Sequence, residues 1–387
     1  MRVGRPESAR RPTLLELFFD LVYVVALALI SQRLVEHPEW GAAFQTLLLL
    51  MALWVVWVAT VVVTNLYDPD QPAIQLLTIY VMIGSLLMTA AIPRAFDRHG
   101  LIFAAAYVGI HLGRGLLLVP AMRDQLAQRQ RAIRVLIWFS ISAVPWLAGG
   151  LTNGTGRSVL WAIALAIDFT AVGLRYPVPR LHQVPAAQFI SVAEHLSERF
   201  QQFFIITLGD AILVIGMALS SGDLSAGHFA AFLVALGSTV LLWRIYVHRA
   251  GEVLPAAINA ARQPAGFTQS APFTHLVMVA GVVTTAAGFD FVIRNPTGEP
   301  RIAEVVMMLG GPALFLVGRA RFEYEIFGRV SPARLIGILV LAAAAPGGLH
   351  VPPLLVTTTA GLVLAGVAIA DTIRSHGRPP EPPAPTF

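Results

Sequence analysis

Cysteine and lysine are both absent from this 387-residue chain. Without cysteine there is no disulfide framework, no thiolate zinc site and no thiol nucleophile. Without lysine there is no Schiff-base chemistry and no P-loop lysine, and all 27 basic residues are arginine. Charge of either sign is scarce, at 13% of residues against about 25% in soluble globular chains. No HExxH, GxSxG, GxxxxGK[ST] or GxGxxG pattern occurs, which removes the usual signatures of zinc hydrolases, serine hydrolases and phosphate-binding loops.

What is present is apolar sequence. Hydrophobic residues make up 56% of the chain and the mean hydropathy is +0.70. Apolar runs long enough to cross a hydrocarbon core are predicted at 14–33, 43–64, 73–93, 101–121, 133–149, 158–174, 196–220, 227–248, 273–293, 302–318, 333–349 and 352–372. The spans at 133–149 and 333–349 carry Pro145 and Pro346, which a membrane helix tolerates where neighbours re-satisfy the freed backbone groups. The fold class that follows is all-α: a polytopic integral membrane bundle of about twelve transmembrane helices.

With the N-terminus inside, the cytoplasmic segments hold roughly three arginines for each one in the outer loops, as the positive-inside rule requires. Both termini are expected in the cytoplasm. The pI near 10.1 follows from those loop arginines and implies no nucleic-acid partner. Met1 to Pro12 is polar and Arg-rich, and the run after it lacks a small-residue cleavage site.

The chain also repeats itself. Gln75–Arg94 aligns without gaps on His275–Arg294, Asp20 falls opposite Asp210, Gly113-Arg114 near Gly318-Arg319, and Arg134 opposite Arg334. Offsets stay between about 190 and 205 throughout. Two six-helix parallel repeats are expected, at 14–174 and 191–375. They are flanked by a cytoplasmic N-terminus (1–13), a Pro-rich linker (175–190) and a disordered tail (376–387). Parallel repeats of transporters commonly carry polar sites near the bilayer midplane.

Charged residues inside apolar helices are costly and therefore informative. Glu16 and Asp20 lie one turn apart on the first span. Thr13-Leu-Leu-Glu16 fits a capping box, which is a structural role for Glu16. Asp20, about 9 Å deeper than Leu14 at 1.5 Å per residue, has no such explanation. In the seventh span Ser191-Val-Ala-Glu194 reads as another capping box, and His195, Arg199, Ile206 and Asp210 share one face. Asp210 lies near mid-bilayer. Glu198 and Arg199 sit closer to the cytoplasmic edge, where they either snorkel to the interface or carry function. Arg114 in the fourth span keeps its charge and needs a counter-ion, with Asp20, Asp210 and Asp168 as candidates. Gly113 and Gly115 on either side leave room for a backbone or a ligand. His111, Asp168, His275 and Asp290 are candidate substrate-binding residues or interhelical hydrogen-bond partners. Asp68-Pro-Asp70 offers two carboxylates to a Mg²⁺ ion, or makes an ordinary turn.

ELFFDLVYVVAL (Glu16 to Leu27), SERFQQFFIITLGDAI (Ser197 to Ile212) and HLVMVAGVVTTAAGFD (His275 to Asp290) resemble the bacterial low temperature requirement protein A family, LtrA. The resemblance runs in order along nearly the whole chain and takes in the Trp-rich second span and the Gly-Arg span at Arg114. It implies a polytopic bacterial membrane protein. Where the family has Gly-Glu this chain has Gly209-Asp210, which keeps the charge and withdraws it by about one methylene, roughly 1.5 Å.

Three functions fit these residues. The first is proton-coupled transport of a small molecule or ion, using Asp20, Asp210 and Arg114. The alternative is an intramembrane enzyme acting on a lipid-soluble isoprenoid or prenyl diphosphate, with Mg²⁺ at Asp68 and Asp70 as its only implied cofactor. The third is a non-catalytic membrane stress-adaptation protein whose buried charges only fix helix packing.

Overall fold

The structure, a computed structural model, describes residues 12–185, 193–220, 225–248, 256–257, 260–261, 264–376 and 381–386. Twelve long helices occur among them: α1 (Leu14–Glu36), α2 (Trp40–Leu66), α3 (Pro72–Ala91), α4 (Gly100–Ala121), α5 (Leu126–Leu151), α6 (Gly154–Gly173), α7 (Ala193–Ser220), α8 (Ala226–Val247), α9 (Pro264–Arg294), α10 (Ile302–Phe327), α11 (Pro332–Gly348) and α12 (Pro353–Ser375). Each contains one predicted span almost in full. Eleven have the length and apolarity to cross a membrane, and α11, at 17 residues, lies at the lower limit of a crossing helix. The protein is a multi-pass membrane helix bundle.

Local chemistry sets the helix ends. Thr13 and Glu16 form the expected capping box: the Glu16 amide donates to Thr13 Oγ1 (3.3 Å) and the Thr13 amide donates to Glu16 Oε2 (2.8 Å). The box expected at Ser191–Glu194 lies outside the described residues. Pro72, Pro332 and Pro353 open α3, α11 and α12, where a missing amide hydrogen costs nothing. Gly328 closes α10 with φ +64°, a left-handed cap that only glycine adopts freely. Helices α5 and α11 run through Pro145 and Pro346 to Leu151 and Gly348. Residues Val306–Gly310 form one π-helical stretch within α10.

The chain packs as two compact units: Met1–Leu29 with Phe44–Leu196, and Ile30–Ala43 with Ser197–Phe387. This division by packing cuts through α1 and α7, so it differs from the division expected from the internal repeat. In the first unit α4 packs against α3 and α5, and α5 against α6. In the second, α9 packs on α10, α8 on α12, and α11 on both α10 and α12. The α9–α10 crossing is close enough to require glycine. A Cβ on Gly281 would run into the Phe315 backbone, and one on Gly311 into that of Thr285. Helix faces turned away from the packing are apolar, as at Phe18, Leu21 and Val25 of α1, which suits lipid and would be unstable in water.

The Pro-rich linker and the tail, of which only the tail was expected to be disordered, both make specific contacts. In the linker, Arg134 Nε donates to the Leu181 and His182 carbonyls (3.2 Å each), and Trp138 Nε1 donates to the Pro177 carbonyl (2.9 Å). In the tail, the Ala384 and Thr386 amides donate to the carbonyls of Ile326 (3.0 Å) and Glu325 (3.1 Å). The tail's acceptors are carbonyls of the last turn of α10, which the helix itself leaves unpaired.

Candidate functional site

In the first unit the acids of α1 find separate partners. Glu16 Oε2 serves the cap, while Oε1 lies 3.0 Å from His195 Nε2 at the start of α7, with both side chains essentially unexposed. Capping and a hydrogen-bonding contact with His195 therefore coexist in one carboxylate. Asp20 is fully buried and accepts from Trp57 Nε1 of α2 at 2.9 Å. Trp54 stacks on Trp57 with centroids 5.0 Å apart, which fixes the indole that reaches the acid.

Arg114 departs from expectation. Its guanidinium donates to Thr60 Oγ1 (2.8 Å) and approaches the Val56 carbonyl (3.5 Å), both on α2, and has no carboxylate partner among the described residues. The space beside it is also filled. Tyr80 lies across Gly113 and donates to the Gly109 carbonyl at 2.5 Å, and Leu136 covers Gly115. Asp168, one of the candidate counter-ions, instead accepts from Tyr107 Oη (2.7 Å) and Trp146 Nε1 (3.4 Å). His111 stacks on Phe139 (3.8 Å, 14°) and tilts against Tyr107. It is buried, and neither ring nitrogen has a hydrogen-bond partner among the described residues.

In the second unit, Asp210 of α7 is fully buried. Ser31 Oγ donates to its Oδ2 at 2.5 Å, and its Oδ1 has no hydrogen-bond partner among the described residues. Arg199 is fully buried and does not snorkel; its Nη1 donates to Gln202 Oε1 (3.2 Å), while Glu198 is half-buried. His275 makes no hydrogen bond across helices among the described residues. Its Nδ1 meets the Ala271 carbonyl of its own helix (2.8 Å), and Phe200, Tyr246 and Phe322 enclose the ring. Asp290 pairs with Arg294 one turn on (2.7 Å), an intrahelical bridge.

Asp68 and Asp70 form a turn. The Asp70 amide donates to Asp68 Oδ1 (3.1 Å), the geometry of an Asx turn. No group of three His, Asp or Glu side chains placed to hold a metal ion occurs among the described residues.

Several polar groups were not singled out by sequence reasoning. Arg334 is buried between Glu323 (2.7 Å) and Asp371 (2.8 Å), and Glu323 also accepts from the Ser331 amide (2.9 Å). In the sequence these three sit at helix ends, where charge is ordinary. Arg157, counted with the outer loops, is 2% exposed and donates to the carbonyls of Ala95 (2.8 Å), Gly149 (3.1 Å) and Thr152 (2.5 Å). Ser31, Trp57 and Tyr107 carry no charge, so no hydropathy signal marks them.

Comparison with known proteins gives two matches. The family model described as "Bacterial low temperature requirement A protein (LtrA)" matches residues 11–369. The chain is also similar to "Uncharacterized protein RA0937" of Rhizobium meliloti (strain 1021), with 33% identity over 361 residues covering 92% of this chain and 88% of that one. No solved structure matches.

Proposed function

The chain belongs to the bacterial low temperature requirement A family, and on that premise we propose that it is a carrier that couples movement of a small molecule or ion to protonation of Asp210. The observation that carries this reading is the state of that carboxylate. It is fully buried on a membrane helix, with one oxygen held by Ser31 and the other unmet among the described residues. Such an ion carries a desolvation cost that nothing nearby repays in full. Protonation removes the charge and turns the unmet oxygen into a hydroxyl donor. Alternation between the two states is what a proton-coupled step needs.

Asp20 is the acid opposite Asp210 in the sequence repeat, and it has a fixed donor in the Trp57 indole. We read residues 14–174 and 191–375 as parallel repeats. In support, the fourth helix of each half carries an arginine that reaches a second-helix carbonyl: Arg114 to Val56 (3.5 Å) and Arg319 to Ile245 (3.1 Å). The arginine bias further supports cytoplasmic termini in a bacterial inner membrane. The isoprenoid-enzyme reading lacks a comparable observation, since its proposed metal carboxylates close an Asx turn.

Proteoliposomes loaded with a pH-sensitive dye test the proposal. A panel of small cations, anions and neutral metabolites is added to vesicles holding wild type or Asp210→Asn. At least one compound should drive proton movement in wild type and fail to do so in the variant. Equal responses in the two proteins, or silence across the panel in wild type, sink the reading.

A further inference from the structure

Where the ends of α8, α10 and α12 meet the start of α11, four guanidiniums face three carboxylates around a cavity of about 60 Å³, several times the space one water needs. The four are Arg319, Arg329, Arg334 and Arg374, and the three are Glu323, Asp371 and Glu381. Their pairing is uneven. Arg334 takes both Glu323 and Asp371. Arg319 is buried and spends its hydrogen bonds on carbonyls, those of Ile245 and His248 at 3.1 Å each, so it shares Glu323 and Asp371 only at a distance with Arg334, which holds both directly. Arg374 has no hydrogen-bond or ion-pair partner among the described residues. Arg329 holds Glu381, which belongs to the C-terminal tail, through its Nε at 3.1 Å and through Nη2.

The tail is seated by its backbone. The Ala384 and Thr386 amides bond the last carbonyls of α10, which delivers the Glu381 carboxylate to the cavity mouth. The Arg329–Glu381 contact itself is about two-fifths exposed on each side, so solvent screens it and it exchanges readily. Guanidiniums are the side chains best matched to phosphate, whose oxygens accept paired N–H donors.

We propose that this cavity binds a phosphate group, and that Glu381 is a built-in occupant of its mouth which the phosphate displaces. Four guanidiniums against three carboxylates leave the lining with one positive charge in excess, and a second is released at Arg329 when Glu381 leaves. The phosphate can come from a phospholipid head group, since the cavity lies at helix ends where head groups lie, or from a free phosphate compound. This site is independent of Asp210, so its test does not depend on transport.

The test uses the full chain in nanodiscs. Because the chain has no cysteine, a Pro382→Cys change carries the only thiol and a fluorophore there reports on the tail. One arm titrates inorganic phosphate into phosphatidylcholine nanodiscs; the other includes phosphatidic acid in the lipid. A fluorescence change in the first arm assigns a free phosphate, and a change confined to the second assigns a lipid head group. Glu381→Gln should bind about two- to five-fold more tightly, the range an exposed ion pair commands, and Arg374→Gln more weakly. The proposal is overturned if neither phosphate source binds wild type or Glu381→Gln. It is equally overturned if Glu381→Gln and Arg374→Gln bind with wild-type affinity while eluting as the same folded species.

Discussion

Ser31 Oγ donates to Asp210 Oδ2 across 2.5 Å, and neither side chain exposes any surface. The serine comes from the second half of α1 and the acid from the middle of α7, both within the second unit. Ser31→Ala strips the acid of its one hydrogen-bond donor among the described residues. Leaving a buried polar group unmet costs about 1–3 kcal/mol, so thermal unfolding in detergent should shift down accordingly. Asp210→Glu restores the residue the family pattern carries but adds a methylene to a filled site, at about 1–3 kcal/mol. Ser31→Gly makes room for the extra methylene while giving up the donor, so combined with Asp210→Glu it should lose less than the sum of the two single changes. Additive losses in the double variant would show that the two residues do not share one space.

The Glu16–His195 pair separates capping from the contact with the imidazole. Thr13→Ala removes only the cap and should cost about 1 kcal/mol. His195→Phe leaves the Glu16 carboxylate buried without its imidazole, and losing a buried hydrogen-bond partner costs about 1–3 kcal/mol. A denaturation series in which either variant keeps wild-type stability contradicts the double role of Glu16.

His111 is predicted to behave in the opposite direction. Its ring stacks on Phe139 while both nitrogens go unmet among the described residues. His111→Phe keeps the stack and removes two unsatisfied polar atoms, so it should stabilise the protein by about 1 kcal/mol or more. Loss of stability instead would mean that the imidazole has a partner, such as water or a ligand, in the working protein.

Arg334 should be the least replaceable arginine of the second unit. Arg334→Gln leaves Glu323 and Asp371 buried together with no cation between them, at about 3–5 kcal/mol. Arg334→Lys should recover only part of this, because a point charge cannot span two carboxylates as a planar fork does. Full recovery by lysine would exclude the two-sided geometry as the source of the effect.

Topology is directly testable, again because the chain lacks cysteine. With cytoplasmic termini, a thiol at Asp97 between α3 and α4 faces outward and one at Asp124 between α4 and α5 faces inward. An impermeant maleimide should label Asp97→Cys in intact cells and Asp124→Cys only after permeabilisation. The reverse pattern overturns the orientation drawn from the arginines.

The spans were legible because each depends on local composition alone. Twelve apolar runs predicted twelve helices, and the Thr13–Glu16 cap appeared as its spacing required. Proline inside α5 and α11 did not mislead, since neighbouring helices absorb the broken bond. The polar partners were much less legible. Arg114 was expected to seek a carboxylate, yet Thr60, an unremarked hydroxyl in an apolar run, supplies the bond. Arg157 and Arg334 were assigned by position to loops or membrane edges, and both are buried.

Sequence by itself determined that Asp20 and Asp210 are buried in membrane helices, because hydropathy and a 1.5 Å rise per residue place them there. Only the tertiary structure decided what each acid touches: an indole for Asp20, and a serine hydroxyl with one oxygen left unmet for Asp210. The physical reason is that depth along a helix is written in its own residues. Which neighbour a side chain meets depends on how each helix is turned about its axis, and that is set by the packing of the other helices.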